Sequence, residues 1–255
     1  MPDANGVVAA SSVRDALRPD TLLVSVMHAN NETGSIQPLL DIADILEGHN
    51  AFFHVDAAQG YGKDLEPLRS KRVDLISISG HKIYGPVGVG ALITRRRSFK
   101  RPPLTPLTFG GGQERGLRPG TLPVLLIVGL GVAAEISLKD NEAHQQRCLA
   151  ILQLALAALE PLGVRVHLDP DHTLSHVINF SVPGVDSEAV MLALKDVAAL
   201  SNGSAYTSQN YAPSHVLEIM DLPPDAVSGA IRASWSHLTP DVDWPLLASQ
   251  IAALR

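Results

Sequence analysis

The sequence has almost no cysteine, since Cys148 is the only one among 255 residues. A lone cysteine excludes an internal disulfide and any zinc site that needs several cysteines, and it is typical of a reducing compartment. We expect no redox role for Cys148. It lies in EAHQQRCLAILQLALAALE, where the apolar spacing predicts a helix that packs this side chain inside the protein.

Long apolar runs and an excess of positive charge are also missing. No segment approaches the roughly 18 consecutive apolar residues of a membrane-spanning helix. The start, MPDANGVVAA, lacks the basic and apolar regions of a signal peptide. The 20 Lys and Arg against 26 Asp and Glu leave a net charge of −6, which provides no electrostatic footprint for nucleic acid or an anionic membrane. We therefore expect a cytoplasmic protein that binds neither, and we predict no metal site.

The first half of the chain alternates predicted strands and helices. TLLVSVMH is β-branched and apolar and predicts a strand, which the turn-rich ANNETGS follows. A helix is predicted from Pro38 to Gly48, before the chain returns as a strand at Ala51–Val55. Strand, helix and strand over this length favour a parallel sheet with helices on its faces. The predicted strands of this half are 21–28, 51–55, 74–79 and 89–94.

The second half is predicted to form a smaller domain. Two long helices are expected between Leu122 and Leu162, and the polar cluster KDNEAHQQR separates them. We place the domain boundary at this cluster. Residues 1–140 would form an α/β domain with a mostly parallel sheet, and residues 141–255 a small α+β domain. Its predicted strands are 163–167, 175–182 and 228–234, and its later helices are 186–197, 213–220 and 240–254.

The last helix carries a clear start signal and a clear core face. We predict that Thr239 caps it and that Pro240 occupies its first position. Its apolar stripe should face the core and consists of Trp244, Leu247, Ile251 and Leu254.

Two polar residues follow predicted strands and suggest chemistry. Lys82, in DLISISGHKIYGPVGVG, comes at the end of a buried strand, where partial desolvation favours the neutral amine that attacks a carbonyl. Asp56, in HVDAAQG, follows a mostly apolar strand. If the strands are parallel, both residues lie at the edge where open α/β sheets bind ligands. A lysine and an aspartate are the two protein groups that pyridoxal phosphate chemistry requires. Lys82 could instead be an ordinary exposed lysine, and Asp56 a helix cap.

Several longer motifs together resemble one enzyme family. HVDAAQ, SISGHKIYGPVGVGAL and GGGQERGLRPGTLP resemble the cysteine desulfurase branch of the class V aminotransferase-like enzymes. These are fold type I enzymes that depend on pyridoxal 5'-phosphate. The resemblance extends over essentially the whole chain, from LVSVMHANNETG through SNGSAYTSQNYAPSHVL to AIRASWSHLTP. A Rossmann or P-loop nucleotide binder is a weaker alternative, because GPVGVG and GGGQERG fit neither phosphate-loop spacing.

The resemblance implies a role for five residues around the cofactor. Lys82 would bind the cofactor covalently and move protons on the substrate, with His81 beside it in the catalytic set. Asp56 would keep the ring nitrogen protonated. Gln59 would donate a hydrogen bond to the phenolic oxygen of the ring, while Ser79 and His81 would bind the phosphate. Taken singly, each of these residues has an ordinary structural or solvated alternative.

Three more residues are implied further along the chain. Asn31, in NNETG, would face the cofactor and the substrate. Thr121, in RPGTLP, would reach the cofactor phosphate of the partner subunit, which makes the family's homodimer part of the site. Arg232, in AIRASW, would clamp the carboxylate of the substrate, L-cysteine, because its guanidinium is planar and permanently charged.

The sequence departs from the family at the catalytic cysteine, whose position is Tyr206 here. In the family's reaction this cysteine takes sulfur from L-cysteine as a persulfide, alanine is released, and the sulfur passes to an acceptor protein. A phenol with a pKa of about 10 is protonated near neutral pH and cannot carry sulfur as a persulfide. We therefore expect that the persulfide step is lost. An isolated substitution, a pseudoenzyme and an enzyme with another reaction all stay open.

A second departure concerns the start of the chain. Full-length members have a large block before LVSVMHANNETG, with a helix start that cradles phosphate and a histidine that stacks on the cofactor ring. This chain has no counterpart of either, which is expected to weaken cofactor retention. The alternatives for this start are a gene fragment, a misplaced start and one half of a split protein.

The rival functions are a lyase or transaminase that needs no cysteine and a non-catalytic binding partner. The destination of the sulfur is also open among iron–sulfur clusters, tRNA thiolation and DNA phosphorothioation.

Overall fold

The computed structural model describes residues 1–97, 99–202 and 214–255, which form two compact units. Unit 1 consists of Met1–Ser12, Ala29–Pro38 and Glu142–Arg255, and unit 2 consists of Val13–His28 and Leu39–Asn141. Two N-terminal segments pack with the C-terminal half in unit 1. One of them, Ala29–Pro38, is joined there by a bridge between Ser35 and Thr173. The chain crosses from unit 2 to unit 1 between Asn141 and Glu142. The domain boundary at residue 140 stays a prediction.

Unit 2 contains a mostly parallel sheet, as predicted. Its four strands lie side by side in chain order, with β1–β3 parallel and β4 antiparallel. The strands are β1 Leu23–Met27, β2 Phe52–Asp56, β3 Leu75–Ser79 and β4 Gly90–Thr94. The four predicted strands are confirmed, each within two residues of its predicted ends. The helices of this part of the chain are α1 Ala10–Ala16, which was not predicted, α2 Leu39–Ile45 and α3 Val124–Lys139.

A buried ion cluster fixes the start of β3 against β2. The carboxylate of Asp74 is 5% exposed and accepts from the backbone N–H of Phe53 at 2.8 Å. It also accepts from the guanidinium groups of Arg72 at 2.9 Å and Arg97 at 2.5 Å. Burial lowers the pKa of Arg72, and so does the neighbouring charge of Arg97, while Asp74 raises it. The carboxylate is therefore buried with its charge compensated, which is the condition for tolerating such a group in a core.

Unit 1 is built on a three-stranded antiparallel sheet, as expected for an α+β domain. The order is β5-β6-β7, and every residue of the central strand is buried. The strands are β5 Arg165–Val166, β6 Val177–Ser181 and β7 Ala230–Ser234. The helices are α4 Asn141–Leu159, α5 Ser187–Ala193, α6 His215–Ile219, α7 Pro224–Ser228 and α8 Trp244–Ala252. Cys148 is buried in the core cluster with Ile178 and Phe180, so its predicted packing role is confirmed.

The predicted start of the last helix was wrong. The last helix begins at Trp244, and its cap is Asp243, whose carboxylate accepts from the backbone N–H of Leu246 at 3.0 Å. Thr239 instead accepts from the backbone N–H of Ser236 at 2.9 Å, so its hydroxyl closes a turn and does not cap the helix. The helix α7 was not predicted.

No helix within 1–97, 99–202 and 214–255 is both long and apolar enough to cross a membrane.

The turn after β2 depends on a glycine that faces a buried histidine. A Cβ atom at Gly60 would lie 2.0 Å from Nδ1 of His28, whose side chain is fully buried. Nε2 of His28 is 2.9 Å from Oδ2 of Asp64, which holds the ring in place. The ring therefore has nowhere to move if residue 60 gains a side chain.

We expect Gly60→Ala to lower the free energy of unfolding by about 3 kcal/mol, because the methyl group overlaps this ring. Gly131→Ala is the matched control, since Gly131 lies within α3 with open space around the position of a Cβ atom. Alanine should leave stability unchanged or raise it by about 0.5–1 kcal/mol there. Urea denaturation of the two variants measures the difference. A Gly60→Ala variant as stable as the parent would contradict the steric explanation.

Unit 1 contains a buried histidine whose hydrogen bonds suit the neutral ring. In His167, Nδ1 is 2.8 Å from Oδ1 of Asn179 and Nε2 is 3.1 Å from Oγ of Ser181. Burial lowers the pKa of His167 below its ordinary value of 6.5. Below about pH 6.5 the unfolded chain therefore binds more protons at this residue than the folded chain does, and protonation favours unfolding.

The contribution of His167 to stability should be complete above about pH 6.5 and should be lost as the pH falls towards its folded pKa. We expect His167→Gln to flatten the fall in the free energy of unfolding between about pH 7 and about pH 5. His215→Gln, at an exposed histidine of the same unit, is the control and should keep the parent slope. Denaturant titrations across this pH range test the difference, and equal slopes for all three proteins would refute it.

Candidate functional site

The parallel register of unit 2 brings three strand ends to one edge. Met27 pairs with Asp56, and Asp56 pairs with Ser77. The connections beyond the strands continue this alignment. The backbone N–H of His28 donates to the carbonyl of Asp56 at 2.7 Å, and that of Ala57 donates to the carbonyl of Ser77 at 2.9 Å. This is the carboxyl edge at which open α/β sheets bind ligands.

Asp56 presents its carboxylate at this edge. The side chain is exposed, and Oδ1 accepts from the backbone N–H of Ala58 at 3.0 Å. This contact closes the turn after β2. The carboxylate therefore also has a local structural role, since it caps the backbone of the turn. Within the described residues, Oδ2 makes no hydrogen bond. One oxygen therefore orients the carboxylate, and the other is available to a ligand.

Lys82 lies on a tight turn directly after β3. The 3₁₀ helix Gly80–Ile83 follows the strand, and Gly80 donates to the carbonyl of Val89 at 2.9 Å. A Cβ atom at Gly80 would lie 2.9 Å from this carbonyl oxygen, so the backbones approach too closely for a side chain. Lys82 is half-buried in the turn.

The same turn carries the two residues predicted to bind phosphate. Oγ of Ser79, at the end of β3, is 3.0 Å from Nδ1 of His81. A hydroxyl group and an imidazole therefore stand side by side at the end of the strand. Both are hydrogen-bonding groups that suit phosphate oxygens.

Gln59 and Lys82 are linked through a lysine that the sequence analysis missed. Nζ of Lys63 donates to the carbonyl of Gln59 at 3.1 Å and to the carbonyl of Lys82 at 3.0 Å. Gln59 itself is half-buried in the turn after β2. The only signal in the sequence was the position of Lys63, close behind HVDAAQG.

These groups fit the cofactor that the resemblance implies. An exposed carboxylate matches a protonated ring nitrogen, and a half-buried amine matches an aldehyde carbon. The pair of Ser79 and His81 matches a phosphate group. The side chains of Asp56, Ser79, His81 and Lys82 are therefore chemically suited to pyridoxal phosphate, and the individual roles of these residues and of Gln59 stay predictions.

Unit 1 brings together the two residues predicted to bind substrate. Arg232 lies in β7, and its Nη1 donates to the carbonyl of Asn31 at 2.9 Å. Burial lowers the pKa of Arg232, and the charge of Glu32 raises it. Because the ordinary pKa of arginine is very high, Arg232 stays protonated despite its burial. A half-buried, permanently charged guanidinium is thus held by the NNETG loop.

The NNETG loop is ordered by its own side chains. Oδ1 of Asn30 accepts from the backbone N–H groups of Glu32 at 2.7 Å and Thr33 at 3.1 Å. Glu32 is 3% exposed, and its Oε2 accepts from Oγ of Ser214 at 2.5 Å. Glu32 was not predicted as part of the site, because its partner Ser214 is 182 residues away in the sequence.

The remaining predicted residues lie elsewhere. Thr121 is exposed in the segment that leads to α3, and its reach to a partner subunit stays a prediction. Tyr206 lies outside the described residues. In the part of the chain that the structure describes, no three His, Cys, Asp or Glu side chains converge as metal ligands.

Comparison with known proteins connects this geometry to one family. The model of the aminotransferase class-V family matches residues 1–242. Cysteine desulfurase IscS of Rickettsia prowazekii is 42% identical over 258 residues, which cover 99% of this chain and 62% of that protein. The chain therefore spans less than two thirds of the length of this relative.

Solved structures of similar proteins agree with the fold. DndA of Streptomyces lividans superposes with a TM-score of 0.82 at 46% identity, and the alignment covers 92% of this chain and 66% of the DndA chain. SspA, solved in complex with cysteine, superposes with a TM-score of 0.75 at 34% identity. That alignment covers 92% of this chain and 64% of SspA.

Proposed function

Because the chain belongs to the aminotransferase class-V family, we propose that it is a cysteine desulfurase-like protein that binds pyridoxal 5'-phosphate and L-cysteine. The observation that carries this proposal is the shared sheet edge of unit 2. Asp56 ends β2, and Lys82 stands on the turn directly after the neighbouring parallel strand β3. The similarity to IscS and DndA supports the same function.

In this proposal unit 2 holds the cofactor. The carboxylate of Asp56 holds a proton at the ring nitrogen, and Gln59 donates to the phenolic oxygen. Ser79 and His81 bind the phosphate, and Nζ of Lys82 binds the cofactor and accepts the α-proton of the substrate. The bound cofactor supplies an electron sink for the charge that this proton leaves behind.

The substrate carboxylate is assigned to Arg232. Its guanidinium is already oriented by the carbonyl of Asn31, which reduces the entropy lost when it pairs with a carboxylate. L-Cysteine carries such a carboxylate, and the cysteine complex of SspA supports this choice of ligand. The same resemblance supports a homodimer in which Thr121 contacts the phosphate bound by the partner subunit.

Tyr206 sets the limit of the proposed activity. Persulfide formation needs a thiolate that attacks the sulfur of the substrate, whereas a phenol is a hard oxygen nucleophile. We propose that substrate binding and α-proton removal are retained and that sulfur transfer to an acceptor protein is lost. The substitution favours a second candidate, a lyase or transaminase that requires no cysteine. Such an enzyme would release free sulfide or a ketoacid.

We expect the purified chain to form a visible absorption band with pyridoxal phosphate and expect Lys82→Ala to lack it, because the band requires a lysine amine. Lys71→Ala, at an exposed lysine of the same unit, is the matched control and should keep the band. Circular dichroism would establish that the three proteins are folded. An unchanged band in Lys82→Ala would refute the assignment of this lysine. If the folded parent forms no band, the non-catalytic binding partner becomes the better candidate.

We expect Tyr206→Cys to release alanine from L-cysteine and to carry a protein persulfide, whereas the parent forms no persulfide. In the variant the new thiolate attacks the sulfur of the substrate. An S–S bond forms, the Cβ–S bond breaks, and Cβ takes up a proton to give alanine. The assay should be run on this chain and on a version extended with the N-terminal block of a full-length relative.

The double variant Tyr206→Cys with Cys148→Ala is the control that locates the persulfide, because residue 206 then provides the only thiol. A persulfide on the parent chain would contradict the role given to Tyr206 and would point to Cys148. Failure of alanine release in both the short and the extended version would refute the desulfurase proposal.

A further inference from the structure

Lys63 joins the two backbone segments that carry the cofactor residues of unit 2. Its ammonium group donates to the carbonyl of Gln59 at 3.1 Å and to the carbonyl of Lys82 at 3.0 Å. The first carbonyl belongs to the turn after β2, and the second to the 3₁₀ helix after β3. Strands β2 and β3 end before these carbonyl groups, so Lys63 connects the two segments beyond the last backbone hydrogen bonds of the sheet.

The backbone around Lys63 is anchored on both sides. A Cβ atom at Gly62 would lie 2.7 Å from Cγ2 of Ile83, so this glycine lets the segment pack directly against the Lys82 turn. Gly62 also has a φ angle of +78°, which favours glycine. On the other side, Asp64 is held by the buried ring of His28 at 2.9 Å. Lys63 therefore projects from a fixed position.

The bonds that Lys63 makes are of the strong type. A hydrogen bond from a charged donor contributes more than one between neutral groups, and it is stronger where the site is partly shielded from water. Lys63 is half-buried. Each bond fixes a peptide carbonyl, and the orientation of a peptide group restricts the direction in which the adjacent side chain leaves the backbone.

We propose that Lys63 is a positioning residue that sets the distance between the Gln59 segment and the Lys82 turn. It does not touch the reacting atoms but acts through the two carbonyl groups that it bridges. The inference rests on the proposed function, since its consequence is tighter retention of pyridoxal phosphate. Without the ammonium group, only packing would hold the two segments together, and the cofactor would meet Lys82 and Gln59 in a wider range of geometries.

The test compares Lys63→Met, which keeps the apolar stem and removes the charge, with Lys63→Arg, which keeps the charge. We expect Lys63→Met to lose pyridoxal phosphate about tenfold faster, as for the loss of a charge-assisted bond. Lys63→Arg should recover part of the retention, because a guanidinium can also donate to two carbonyls. Lys71→Met is the matched control at an exposed lysine. The readouts are the decay of the Lys82-dependent band on dilution and the pH profile of that band.

A merely structural role would give another result. Lys63→Met would then lower the thermal unfolding temperature of the cofactor-free protein, and retention would change only in proportion to that loss. We expect instead a small change in unfolding temperature, a large change in retention and a shifted pH profile. The proposal would be overturned if Lys63→Met retained pyridoxal phosphate as well as Lys71→Met does. It would also be overturned if Lys63→Arg restored none of the lost retention.

A second measurement works without cofactor and separates this inference from the proposed function. Hydrogen exchange should accelerate in Lys63→Met at the amides of Tyr61 and Gly85, which donate within the two bridged segments. Exchange in β6 of unit 1 should stay unchanged and provides the internal control. If the parent never binds pyridoxal phosphate, the proposed function fails, and exchange alone decides the role of Lys63. Unchanged exchange in both segments would overturn the bridge itself.

Discussion

The parallel pairing of β1, β2 and β3 is the constraint on which the rest of unit 2 depends. Parallel strands that begin at one edge also end together, so Met27, Asp56 and Ser77 lie in neighbouring register positions. A shift of one residue would turn Phe53 and Val55, both fully buried, towards the opposite face of the sheet. Burial of these side chains therefore selects the register, and the register places the functional groups at the carboxyl edge.

Close backbone contacts convert this edge into a set of defined positions. Gly60 and Gly80 have no side chain at points where a Cβ atom would overlap a buried ring or a neighbouring backbone. The polypeptide can then turn sharply after β2 and after β3, and Lys82 emerges half-buried from the second turn. In unit 1 the guanidinium of Arg232 is oriented by a hydrogen bond to the NNETG loop, whose backbone is held by the side chain of Asn30.

The seven strands found in the described part of the chain and the mostly parallel sheet were predictable, because their signals are local: apolar and β-branched runs bounded by turn residues. The edge position of Asp56 and Lys82 was predictable for the same reason. The start of the last helix was not. Thr239 was predicted as the cap, but its hydroxyl accepts from the backbone N–H of Ser236 in a turn, and Asp243 caps the helix instead. Which of two capping side chains four residues apart starts a helix depends on the local backbone geometry, which the composition does not reveal.

The sequence by itself determined the types of element and the chemical groups available at the sheet edge, since these follow from neighbouring residues along the chain. Only the tertiary structure decided which groups work together. The bridge from Lys63 to Lys82 spans 19 residues, and the bond between Glu32 and Ser214 spans 182. Contacts of this kind depend on how the elements pack, and no periodicity in the sequence records that arrangement.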